Sequence, residues 1–242
     1  EYLNEWKVEL EAEEMEDIMV EFSKILLASF SDPSDFIRES SIRILREMIS
    51  RIGDLSSHLK YIFSILVERT NCDDLEGVRG MDERMIPDPG QKPKQLVELV
   101  ETSEAARSEL LELFLTLIDS VDAQLITEFL DESVSICRVF LMDPMSEIQI
   151  KACKVTSEFA SKFRQQLHHF TVILSRAILL PLISKKSSVT IAALQTLNDI
   201  LYCGTWKYTV DVFDILVGFR DPNSVPIRDF YEYSININYL SL

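Results

Sequence analysis

An Asp-Pro step stands directly before an apolar helical run at three places: "SDPSDFIRESSIRILREM" from residue 31, "MDPMSEIQIKACKVTSEF" from residue 142 and "RDPNSVPIRDFYEYS" from residue 220. The steps are Asp32-Pro33, Asp143-Pro144 and Asp221-Pro222, separated by 111 and 78 residues. Both gaps divide into units of about 37 to 39, the length of one helical pair in a stacked repeat protein. Proline donates no helical hydrogen bond and pushes its predecessor out of the α region, so each step ends one helix and lets another begin. The chain therefore reads as a series of helix pairs packed on their neighbours rather than as one globule.

The apolar spacing supports that division. Met15, Ile18, Met19, Phe22, Ile25 and Leu26 fall on one stripe before the first turn, continuing Leu3, Trp6 and Leu10. After the turn, Ile37, Ser41, Ile44 and Met48 share a face with Ile42, Leu45, Ile49 and Ile52 beside them, a stripe wide enough to need neighbours on two sides. Gly53 closes this helix. A third helix, about 55 to 70, turns Leu59, Ile62, Phe63, Leu66 and Val67 inward. The segment from about 71 to 100 holds three of the six glycines and three of the eight prolines, and is expected to be a long, disordered inserted loop. Helical spacing resumes with Leu110, Leu113, Phe114, Leu117 and Ile118. Pairs follow at about 123–141 with 146–163 and 165–183 with 187–203, and a fifth opens near Thr205. The last residues, 234–242, alternate more like a strand.

Aligning the junctions between first and second helices places Asp32, Glu101, Asp143, Ser184 and Asp221 in register, at spacings of 69, 42, 41 and 37. The one anomalous spacing is a unit plus about 30 residues, the size of the insertion. Six residues after each turn residue stand Arg38, Arg107, Gln149 and Thr190, with Arg228 one place later in the last unit. An Asp-Pro turn, an apolar residue followed by Arg in the second helix, and a period near 39 resemble the HEAT repeat. In that family, turn acids and second-helix arginines form a ladder of charge-assisted hydrogen bonds, here expected to involve Asp32, Arg38, Glu101 and Arg107 and to weaken where Gln149, Ser184 and Thr190 stand. The stretches "HHFTVILSRAILLPLISKKSSVTIAALQTLNDILYCG" and "DPMSEIQIKACKVTSEFASKF" are similar to the amino-terminal half of the dynein axonemal assembly factor five family. The resemblance implies a non-catalytic cytoplasmic scaffold for preassembling axonemal dynein arms, with dynein chains, chaperones or other assembly factors as partners.

Charge narrows the function classes independently. The formal net charge is -16, so a nucleic acid would be repelled by the average field. Half of it lies in the first 21 residues, where nine acids face only Lys7. Cys72, Cys137, Cys153 and Cys203 form no CxxC pair, and three lie in apolar helical runs, which fits a reducing compartment. No stretch is long and apolar enough to span a bilayer: "FTVILSRAILLPLI" is interrupted by Arg176. The chain begins at Glu1 rather than Met and reads as a fragment.

Carriers of chemistry are few. His168 and His169 are adjacent, so in a helix their side chains would diverge by about 100° and not face one metal. His58 reads as a surface residue near a helix start. No GxSxG, HExxH or GxxxxGK[ST] is present. The cluster Asn71, Asp73, Asp74 and Glu76 misses the calcium-loop glycine by one position, and "GVRG" at 77–80 lacks the strands of an RNA clamp. No enzyme activity, cofactor, metal, nucleic acid or membrane is therefore expected.

The expectation is an all-α solenoid of about five HEAT-like antiparallel pairs over 1–242, binding proteins on a surface lined by second helices. Arg43, Lys151, Lys154 and Arg164 are the candidate partner contacts, together with the acidic first helix. A HEAT adaptor such as a nuclear transport receptor or a phosphatase scaffold is the alternative.

Overall fold

The computed structural model describes residues 12–50, 56, 58–70 and 100–204. Outside them lie the expected insertion, the acidic 71–76 cluster, the fifth pair with Asp221, Pro222 and Arg228, and the strand-like end.

The described residues form helices α1 (Ala12–Ser29), α2 (Asp35–Ile49), α3 (Leu59–Arg69), α4 (Glu104–Ser120), α5 (Ala123–Thr127), α6 (Leu130–Leu141), α7 (Ser146–Lys162), α8 (Thr171–Ala177), α9 (Leu179–Leu182) and α10 (Ser187–Cys203). They make an all-α solenoid. The second helices α2, α4, α7 and α10 pack in series as one layer, and the first helices α3, α6 and α8 pack in series as the other. Each layer buries its apolar stripe against the other, so the core runs along the stack rather than round a centre. Phenylalanines trace it: Phe129 stacks on Phe63 at 4.6 Å, Phe63 meets Phe114 edge-on at 6.4 Å, Phe114 lies 6.0 Å from Phe159, and Phe159 lies 5.1 Å from Phe163.

Second helices are single rods, whereas two of the expected first helices are broken. The 165–183 helix is a 3₁₀ turn at Gln166–His169 followed by α8 and α9. Pro181 accounts for the second break, since its ring crowds the carbonyl of Ala177 four residues back and it has no N–H to offer that carbonyl. The 123–141 helix bends at Phe129, whose backbone leaves the helical region at φ -116, ψ 29, and its ring lies flat on Phe63.

Two further expectations are corrected. Phe22 (42% exposed), Ile25, Ile37 and Ile44 remain accessible, because among the described residues the first pair has a neighbour on one side only. His168 and His169 do not diverge: in the 3₁₀ turn their rings lie 3.7 Å apart, tilted by 45°. Among the described residues no three metal-ligating groups cluster, and no helix is long and apolar enough to cross a membrane.

Candidate functional site

The four described turns between first and second helices share one set of polar contacts. Each turn is built the same way. A side-chain oxygen accepts the N–H two residues on: Asp32 from Ser34 at 2.8 Å, Glu101 from Ser103 at 2.9 Å, Asp143 from Met145 at 2.8 Å and Ser184 from Lys186 at 3.2 Å. These N–H groups open a helix and have no partner within it. Ser103 adds a conventional cap by accepting from Ala106.

The residue six places on then folds back. Arg38 Nη1 donates to the carbonyls of Asp32 (2.7 Å) and Pro33 (3.2 Å), and Arg107 Nη1 repeats this on Glu101 (3.2 Å) and Thr102 (2.8 Å). Thr190 keeps a short version of the contact with Ser184 O at 3.2 Å. The arginines do not pair with the turn acids Asp32 and Glu101 of their own units, though Arg38 also meets Asp35 in the first turn of α2 at 2.5 Å; each reaches the turn acid of the next unit. Arg38 grips Glu101 with two parallel bonds of 2.8 Å, and Arg107 meets Asp143 at 2.7 and 3.4 Å. The ladder therefore links neighbouring units, and its fork geometry fixes their relative position.

Its ends differ. The Asp32 carboxylate receives no guanidinium among the described residues, while the Glu101 carboxylate receives two. Arg69, the last residue of α3, donates to Glu101 at 2.5 Å. Sequence register could not find Arg69, which has no counterpart in the other units. Burial pushes the Glu101 carboxyl up, but the hydrogen bonds from Arg38 and Arg69 outweigh it and hold the group below its ordinary value. Asp143, fully buried with one arginine, is raised instead: loss of water outweighs the Met145 N–H and Arg107. Beyond Asp143, among the described residues, Gln149 shows no such bond to the next turn.

The four surface candidates separate. Arg43 is 44% exposed and only loosely paired with Glu39 at 3.7 Å. Lys154 is exposed on α7. Arg164 is exposed, with its guanidinium 5.4 Å from the centre of the Tyr202 ring. Lys151 instead joins α7 to α4 through Glu112 (2.9 Å) and Ser108 (2.6 Å). Cys137, Cys153 and Cys203 are buried and in no disulfide; burial pushes the Cys153 and Cys203 thiols up to about 11.

A family model described as "Dynein axonemal assembly factor 5-like, TPR repeats" matches residues 1–80 and 94–218. The chain belongs to that family. It is 26% identical over 214 residues to "Dynein axonemal assembly factor 5" of Xenopus laevis, covering 88% of this chain and 22% of that protein, so it spans about a fifth of its relative. No solved structure gives a significant match. The family description calls the repeats TPR where HEAT was expected; the spacings of 42 and 41 residues between successive turns exceed the 34 of a TPR unit. The family match is interrupted at 81–93, inside the expected insertion.

Proposed function

We propose that this chain is part of a non-catalytic, protein-binding scaffold serving the cytoplasmic preassembly of axonemal dynein arms. Membership of the assembly-factor family, through a match that covers nearly all of the chain, carries this reading. The fold supports it: a two-layer stack exposes long helical surfaces, which is how repeat proteins hold other proteins. The buried groups with perturbed ionisation among the described residues, Arg38, Glu101, Asp143 and the two thiols, lie in contacts between helices rather than in an open cleft where substrate could reach them, and the one exposed group, Lys24, is paired with Glu21 on the same helix. Residues 1–242 act as a single array, with the 71–100 insertion looped out of it. Arg43, Lys154 and Arg164 on the second-helix side contact clients, which are dynein chains, chaperones or other assembly factors.

Affinity purification of the tagged full-length protein from cells building cilia tests this. Dynein heavy chains and chaperones are expected in the eluate, and the protein is expected in the cytoplasmic fraction. Recovery of a small GTPase or a phosphatase catalytic subunit in their place would move the assignment to a general adaptor.

A further inference from the structure

The first-helix side carries an open groove of about 810 Å³ between α3 and the α5–α6 corner. Its floor is apolar. Leu59 and Phe63 lie beneath it, and Val67, Leu125 and Phe129 are only partly buried along its flanks, so an occupant would remove apolar surface from water. The stacked Phe63 and Phe129 rings, parallel to within 1°, hold the two walls in fixed relation. The rim is acidic: Glu68, Glu128 and Glu132 line it, with Lys60 the basic residue among its lining groups. None of these three carboxylates forms an ion pair with another described residue.

Charge chooses between the occupants. Residues 71–99 of the same chain follow α3 closely in sequence, but they hold seven acids against four basic residues and would meet like charge at the rim. A helix with one apolar face and flanking Lys or Arg complements both floor and rim. We propose that this groove docks a basic amphipathic helical segment of a partner protein. The inference rests on the reading of the molecule as a protein-binding scaffold and not on the identity of its client.

Because the chain is strongly acidic, any cationic peptide will be attracted to it, so the test must read position. The probe is a synthetic peptide of about five helical turns, with Leu at i, i+3 and i+7 spacing and Lys elsewhere, carrying a fluorophore and a photo-crosslinker. Binding to the intact 242-residue chain is followed by anisotropy. The expected result is crosslinks at α3 and the α5–α6 corner, and binding at least about tenfold weaker for a scrambled peptide of equal composition. Reversing the rim with Glu128→Lys and Glu132→Lys should weaken binding by about tenfold or more, and the paired Gln variants by about threefold. Reversing exposed Glu47 and Glu158 should change it by less than about twofold. Equal losses from the distant pair, unchanged binding after rim reversal, or crosslinks elsewhere would overturn the proposal. So would a tenfold gain on deleting residues 73–92, which would show the chain filling its own groove. Failure to recover dynein chains from cells would refute the assembly role while leaving these binding results in force.

Discussion

The stack is held together in two chemically different ways. The junctions among the first three units are charged: Arg38 on Glu101, Arg107 on Asp143, with Arg46 meeting Glu109 at 2.9 Å between α2 and α4. The junction between the third and fourth units is lined largely by neutral groups. Thr196 Oγ1 donates to Cys153 O at 2.8 Å, the Cys203 thiol donates to Ala160 O at 3.3 Å, and Ser157 bonds Asp199. The Cys153 carbonyl lies inside α7 and the Ala160 carbonyl in its last turn, and a neighbouring helix can reach either only where side chains are small. Buried Ala152, Ala160 and Ala193 supply that closeness between α7 and α10. One architecture thus uses long side chains to span a junction and short ones to close it, and the two should fail differently.

The sharpest contrast is between losing a buried charge and losing a neutral hydrogen bond. Arg107→Ala leaves Asp143 fully buried without its cation, and should cost about 3–5 kcal/mol in urea unfolding. Replacing both partners by apolar residues, Arg107→Met with Asp143→Leu, should cost much less, because no stranded charge remains. A double variant as unstable as the single one would mean that the ladder contributes attraction rather than positional specificity.

Within the charged region the two acids answer pH in opposite senses. Glu101 titrates below its ordinary 4.5 when folded, so its contribution is present above 4.5 and is lost as pH falls through the lower folded value. Asp143 titrates above its ordinary 3.8, so its contribution is full below 3.8 and is lost as pH rises through the folded value. Glu101→Gln should therefore cost about 2–3 kcal/mol at neutral pH, with the gap to wild type narrowing in acid. The gap for Asp143→Asn should widen in acid. Urea midpoints from pH 2.5 to 7 separate the two, and parallel curves would show that neither carboxyl is perturbed as its surroundings require.

At the neutral junction, Thr196→Val keeps the shape and removes one hydroxyl whose acceptors retain other partners. The expected cost is about 1 kcal/mol, with little pH dependence. A loss as large as that of Arg107→Ala would erase the distinction between the two halves.

The sequence shows this contrast only in part. Turns are legible because proline acts on its own backbone, and Arg or Thr six places on can be read from register alone. The direction of the ladder is not legible: Arg38 could face Asp32 or Glu101, and only packing decides between a residue six places away and one 63 away. Arg69 has no periodic partner to betray it. The contacts of Thr196 and Cys203 depend on how closely two helices approach, a property of summed small volumes rather than of any motif. Pro181 marks the break in the fourth first helix, although the expected helix over 165–183 ran through it unbroken, whereas nothing local marks the bend at Phe129. The groove escapes for the same reason as the ladder's direction, since its walls come from residues about 60 apart along the chain.

The smallest effect is expected where the sequence departs most from its period. Arg69 and Glu101 stand on either side of residues 70–100, and their 2.5 Å contact, reinforced by Arg38, ties the two ends together. A segment leaving from a closed base can change length at little cost, because each doubling of a loop changes its closure entropy by only about 0.6 kcal/mol. Deleting residues 73–92 should therefore shift stability by less than about 1 kcal/mol. Combining the deletion with Arg69→Ala should cost more than the sum of the two, since the shortened loop would then lack the tie that positions its ends. A melting temperature lowered by many degrees on deletion alone would mean that the insertion contributes packing to the stack, and that the charged region owes its cohesion to more than the ladder.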